Sequence, residues 1–131
     1  MSFSIVQPEE LPWEERPSIG DGPVRHAADL TAAAGLEQSR ARLWRLPPGA
    51  RGRRHSEGAQ EEVFLVVEGT LTILLGDPPE RFDVRQGGVV AVRPGTPLQL
   101  RNESTGDLTL LAYGAPPVAG GASYFDDVEL T

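Results

Sequence analysis

Residues 49–69 read Gly49-Ala50-Arg51-Gly52-Arg53-Arg54-His55-Ser56-Glu57-Gly58-Ala59-Gln60-Glu61-Glu62-Val63-Phe64-Leu65-Val66-Val67-Glu68-Gly69. The second half holds a nearly continuous apolar run, Val63 to Val67, short enough for a buried strand and closed by Glu68-Gly69 as a turn. The first half places turn glycines, a histidine and carboxylates directly ahead of that strand. His55, Glu57 and Glu62 can each ligate a metal ion or move a proton.

Working outward, the pattern is β on both sides. Leu71 to Leu75 returns as the partner strand and stops at Gly76-Asp77-Pro78-Pro79; Phe82 to Val84 is short. Gln86-Gly87-Gly88 turns into Val89 to Val92, Arg93-Pro94-Gly95-Thr96-Pro97 breaks the chain before Leu98 to Arg101, and Leu108 to Tyr113 is the last clear strand. Upstream, Leu36 to Leu46 alternates loosely and ends at Pro47-Pro48-Gly49. Short strands at this spacing, punctuated by glycine and proline, predict an antiparallel sandwich or barrel. Gly69 and Gly88 sit where strands reverse and are expected at positive φ, and Pro94 pre-sets φ for its turn.

The one helical piece is Asp29 to Gly35, with Asp29 as cap and Gly35 as the left-handed terminator. Residues 1–23 carry Pro8, Pro12, Pro17 and Pro23, which predicts an extended arm. Its Phe3, Ile5, Val6, Leu11 and Trp13 predict that the arm lies on the domain or on a partner subunit. Residues 24–114 form the barrel. In the C-terminal segment, 115–131, Tyr124 to Val128 reads equally as a docked piece or a loose tail.

Composition narrows the function classes. The 131 residues make one domain with room for a core. A net charge of -7 argues against non-specific nucleic-acid binding. All 12 basic residues are arginine, and no cysteine is present to form a disulfide or thiolate site. No apolar run approaches the roughly 20 residues of a membrane span, and no signal peptide is visible, so the expected location is cytoplasmic. Asn102-Glu103-Ser104 matches a glycosylation acceptor by chance.

These residues resemble the cupin superfamily, small jelly-roll barrels also described as double-stranded β-helices. The family's first motif runs glycine, five residues, His-x-His, three or four residues, glutamate, six residues, glycine. Gly49, His55, Glu62 and Gly69 stand in those places, with Glu57 where the second histidine belongs. Its second motif fits Gly88, Pro94-Gly95-Thr96-Pro97 and Asn102, with Leu98 in the histidine's place. The resemblance spans about Leu36 to Tyr113 and implies an all-β fold with an interior pocket.

In metal-binding cupins three histidines and one glutamate converge on manganese, iron, zinc, nickel or copper. Carried over, this chain offers His55, Glu57, Glu62 and Leu98. Side chains two apart share a strand face, so Leu98 and Leu100 point inward, Gln99 points away, and Glu62, Phe64 and Val66 share the inner face. One imidazole and two carboxylates suit zinc or non-haem iron poorly, leaving one weakly held divalent ion (Mn, Fe, Ni or Zn) or none. Without metal, two close carboxylates require a raised pKa or a neutralising arginine.

Arg51, Arg53 and Arg54 read either as a solvated loop or as an anion clamp, with Arg53 the one placed at the pocket. Trp44 and Phe64 read as core, Tyr113 as core or pocket wall, Asn102 as a turn or strand-end residue, and His26 as unplaced. The expected function is small-molecule binding in a pocket around His55, Glu57 and Glu62, with Arg53, Phe64, Leu98, Leu100 and Tyr113 as ligand contacts. The alternative is an enzyme of the dioxygenase or sugar isomerase/epimerase type, with His55 and Glu62 catalytic, either on a divalent metal or by metal-free acid–base chemistry as in the family's sugar-nucleotide epimerases. The chain is expected to form a homodimer through the arm, without nucleic-acid or membrane partners.

Overall fold

The computed structural model describes residues 2–117 and 120–130. The apolar runs become two facing antiparallel sheets. Strands β1 (Trp13–Arg16), β2 (Arg25–Asp29), β3 (Arg40–Leu46), β4 (His55–Ser56), β5 (Glu61–Glu68), β6 (Thr70–Leu75), β7 (Glu80–Arg85), β8 (Val89–Val92), β9 (Leu98–Arg101), β10 (Leu108–Ala115) and β11 (Ser123–Tyr124) follow one another with a single short helix, α1 (Leu30–Ala33). The first sheet is ordered β1-β2-β3-β10-β5-β8 and the second β11-β4-β9-β6-β7. This is the double-stranded β-helix that the motif spacing predicted. No helix among the described residues is long and apolar enough to cross a membrane.

Alternation along the strands fills the space between the sheets. Phe64 and Val66 of β5, Leu71 and Ile73 of β6, Leu98 of β9, and Leu108 and Leu110 of β10 form one buried cluster with Leu46 and Val92. Each such side chain contributes about 1.5–3 kcal/mol by leaving water. The helix obeys its caps: the Asp29 carboxylate accepts from the Thr31 N–H at 3.0 Å, and Gly35 sits at φ +66.

Two expectations are corrected by the backbone. Gly69 does take positive φ (+88), and a Cβ there would lie 2.3 Å from the Asp107 carbonyl oxygen. At the other turn the positive φ belongs to Gly87, whereas Gly88 is required by close approach, since its Cβ would meet Val84 Cγ1 at 2.5 Å. The chain also enters the first sheet earlier than its prolines suggest, because Trp13–Arg16 pairs with β2 from Trp13↔Ala28 to Arg16↔Arg25. Residues 2–12 remain outside the sheets and include one 3-10 turn, Pro8–Glu10.

The C-terminal segment is docked. β11 pairs with β4 through Tyr124↔His55, and the Phe125 N–H donates to the Arg54 carbonyl. Beyond it, Asp127 lies on the outer face of β9, where Gln99 and Arg101 are buried. Gln99 therefore points away from the barrel interior, as parity required, yet it is not in water. Asn102 is fully buried; its amide donates to the Leu46 and Gly106 carbonyls and its oxygen accepts from the Ser104 N–H, the turn role expected of it.

Candidate functional site

Two strands and the loop between them bring the polar cluster together. β4 carries His55, the loop after it carries Glu57, and the start of β5 carries Glu62, two residues before the buried Phe64. His55 Nε2 lies 3.5 Å from Glu57 Oε1 and 3.9 Å from Glu62 Oε1. His55 Nδ1 is 3.0 Å from the Arg53 carbonyl oxygen. A carbonyl can only accept, so Nδ1 is the donor in this bond, and Nε2 is left facing the two carboxylates.

Glu62 is the strained member. Its Oε1 is buried without a hydrogen-bond partner among the described residues. Burial pushes the Glu62 carboxyl above its ordinary value of 4.5; His55 and Arg40 work against that shift, and the charge of Glu57 adds to it. Gly114 lies between Arg40 and Glu62 on β10, paired with one on each side, and the place of its missing side chain is taken by Gln60, whose Oε1 would lie 2.6 Å from a Cβ there.

The cluster opens into a cavity of about 480 Å³ between the sheets. Glu57, Arg53, Phe64 and Leu100 line it, as does Tyr113. Tyr113 shares its strand face with Leu111 and so lies on the opposite side of β10 from Ala112 and Gly114; its ring is 45% exposed. Leu98 is in the core cluster, 1% exposed, and is not among the residues that line the cavity. Gln60, Ala122 and Tyr124 complete the wall near His55.

The arginine run divides. Arg53 faces the cavity and covers the Tyr124 ring at 3.7 Å. Arg51 pairs with Asp127 at 3.1 Å, and the buried Arg54 pairs with Asp77 at 3.0 Å, so neither is solvated and neither joins a clamp at the mouth. His26 is exposed on β2, opposite Arg45, and is not part of the cavity wall.

The opposite wall was missed in the sequence. Arg25, Arg40, Arg42 and Trp44 all line the cavity. Trp44 is half-buried: it packs against the core cluster, as expected, and also lines the cavity, with Arg25 and Arg42 over its ring at 4.6 and 5.5 Å. The signal was a period of two. Arg40, Arg42, Trp44 and Leu46 alternate with Ala41, Leu43 and Arg45, and only the first set shares a face with the buried Leu46.

As a metal set, one imidazole nitrogen and two carboxylates lie with their ligand atoms within 4.8 Å of one another. Mostly oxygen donors plus an unpartnered Glu62 oxygen fit a hard divalent ion, and Leu98 at the remaining position adds no donor.

Comparison with known proteins agrees with this fold. Residues 42–114 match the Cupin domain family, more than half of the chain, and the chain belongs to that family. It is 29% identical over 83 residues to an uncharacterised protein of Methanocaldococcus jannaschii, covering 63% of this chain and 64% of that one, slightly under two thirds of the relative's length. Among solved structures it is similar to a sugar phosphate isomerase of the cupin superfamily from Silicibacter pomeroyi. That match has 25% identity and a TM-score of 0.76, covering 95% of this chain and 83% of that one. It also shares its fold with a predicted oxalate decarboxylase from Thermotoga maritima, at 19% identity and a TM-score of 0.74, over 86% of this chain and 98% of that one.

Proposed function

We propose that this cupin binds a small organic molecule in its barrel and is equipped to move a proton on it. The observation that carries this reading is the meeting of His55 Nε2 with two carboxylates at the floor of a cavity of about 480 Å³. A volume of this order matches typical pockets for small ligands. His55, anchored through Nδ1, serves as the base, and Glu62, held toward its protonated form by burial, serves as the acid. Two groups of opposite tendency beside one ligand suit an isomerisation. The similarity to a sugar phosphate isomerase makes phosphorylated sugars the first class to try.

The test is a thermal-shift and calorimetric survey of sugars, sugar phosphates and small organic acids on the native chain and on His55→Ala. A ligand that binds the native protein and loses about tenfold or more in affinity with His55→Ala supports the reading. A ligand whose affinity is unchanged by His55→Ala and by Glu62→Gln refutes it.

A second reading, a divalent-metal-dependent enzyme, is favoured by the unpartnered Glu62 oxygen within a three-donor group. His55, Glu57 and Glu62 would hold the ion, which would polarise a ligand oxygen. Metal analysis of protein purified without chelator decides it. One ion per chain, lost in both His55→Ala and Glu62→Ala, establishes the metal reading, and none removes it.

A further inference from the structure

The cavity has two unlike ends: at one His55 and Glu62 meet from the two sheets, and at the other Arg25, Arg42 and Trp44 stand on β2 and β3 of the first sheet. Across the first sheet, Arg42 pairs with Ala112, which pairs with Phe64; one row along, Trp44 pairs with Leu110, which pairs with Val66. β10 separates β3 from β5, so the Arg42 and Phe64 backbones lie about 10 Å apart. Arg25 reaches the same end from β2, because Ala27 pairs with Trp44 and Arg25 is two residues away on the same face.

Arg42 is half-buried, and its guanidinium makes no hydrogen bond or ion pair among the described residues, only the ring contact with Trp44. Arg25 is half-buried too. Its Nε and one terminal nitrogen donate to the Pro17 carbonyl, at 3.2 and 2.8 Å, which fixes the head over Trp44 and leaves the other terminal nitrogen without a bonded partner. Two cations held side by side, with most donors unused, are an unfavourable arrangement for an empty cavity. Burial lowers the proton affinity of both guanidinium groups; for Arg25 the charges of Arg16 and Arg42 lower it further, and for Arg42 those of Arg40 and Arg16 do, against Asp29 and Glu14. Asp29, in register with Arg42, offsets part of that charge without a direct ion pair, and its Oδ1 accepts the capping bond of α1. Four arginines line the cavity against three carboxylates, Asp29, Glu57 and Glu62, in a chain whose net charge is -7, so cations are concentrated there relative to the rest of the molecule.

We infer that Arg25 and Arg42, stacked on Trp44, form an oxyanion-binding subsite that takes the phosphate or carboxylate head of a small organic ligand, whose other end reaches His55. This rests on the pocket reading and adds a ligand class to it. Planar guanidinium groups already oriented by an indole ring suit oxyanions, and a partly dry wall strengthens the attraction.

Calorimetry with glucose 6-phosphate, gluconate and glucose tests the head group, and the first two separate phosphate from carboxylate. At least one charged probe is expected to bind about tenfold or more tightly than glucose, with affinity falling as salt is raised. Arg42→Gln is expected to weaken that probe about tenfold, and Arg42→Lys, which keeps the charge but not the fork, to weaken it less. The Arg42→Lys measurement and the salt series on native protein keep the test valid should Arg42→Gln fail to fold. Glucose binding as well as the charged probes overturns the oxyanion subsite while leaving the pocket standing. Charged-probe affinity that is lost in His55→Ala but unchanged in Arg25→Gln and Arg42→Gln also overturns it. Absence of binding by either charged probe to the native protein overturns it as well.

Discussion

Glu62 shows how a residue's position on a strand becomes its chemistry. It stands two before Phe64, so it must face inward, and the interior raises the cost of its charge. A carboxyl with a folded-state pKa above its unfolded value binds extra protons on folding. Its penalty is absent below about 4.5 and grows as pH rises through the folded value. Glu62→Gln is therefore expected to raise the melting temperature of chelator-treated protein at pH 8, with the gain shrinking toward pH 4.5. A gain that does not vary with pH would point to packing instead of charge. His55, Glu57 and Glu62 were legible in the sequence because motif spacing and strand parity together put them on one face. Arg25 and Arg42 were not. An arginine on a strand is ordinarily read as solvated; the period of two shared with Leu46 was the one signal for Arg42, and Arg25 turns inward only through the register of Ala27 against Trp44.

Elements that alternate cleanly, or run apolar without a break, were legible as strands: β5, β6, β8 and β10 coincide with the runs read from the chain. β1 and β2 were not, since Trp13–Arg16 and Arg25–Asp29 are short, bear charged residues and lie among prolines. They become strands only because β3 offers an open edge. The C-terminal segment was ambiguous for a related reason: its anchors lie on another element. Gln99 donates to Asp127 at 2.8 Å, Arg101 donates to Asp127 and to the Val128 carbonyl, and Arg51 adds an ion pair. Arg101 is only 2% exposed, so Asp127 neutralises a charge that cannot reach water. Asp127→Ala is expected to cost about 1–3 kcal/mol in denaturant unfolding. Because Ala122 and Tyr124 line the cavity just before this anchor, ligand affinity should fall as well. Stability equal to that of the native chain would show that β11 and the backbone bonds of Phe125 and Val128 hold the C-terminal segment without Asp127.

At the scale of the whole molecule, the surface left over by folding is the remaining guide. Parity that turns Phe64 and Val66 inward turns Val63 and Leu65 outward, beside Leu111 and Tyr113 of β10, Leu43 of β3 and Val89 of β8. Val89 is 60% exposed and Tyr113 45%, giving an apolar outer face on the first sheet. The N-terminal arm leaves Phe3 and Ile5, 81% and 71% exposed, with little of this barrel covering them. An apolar sheet face and an apolar arm on one chain suit each other across a two-fold axis, where both occur twice. The occupant proposed for the face is thus a second copy, paired through residues 2–12. Deleting residues 2–10 spares β1 and the ion pairs of the barrel, and is expected to change unfolding free energy extrapolated to low protein concentration by no more than about 0.5 kcal/mol. The same deletion should shift sedimentation velocity from a dimer toward a monomer. A truncated chain that still sediments as a dimer removes the arm from the interface, and a full chain that sediments as a monomer removes the dimer itself.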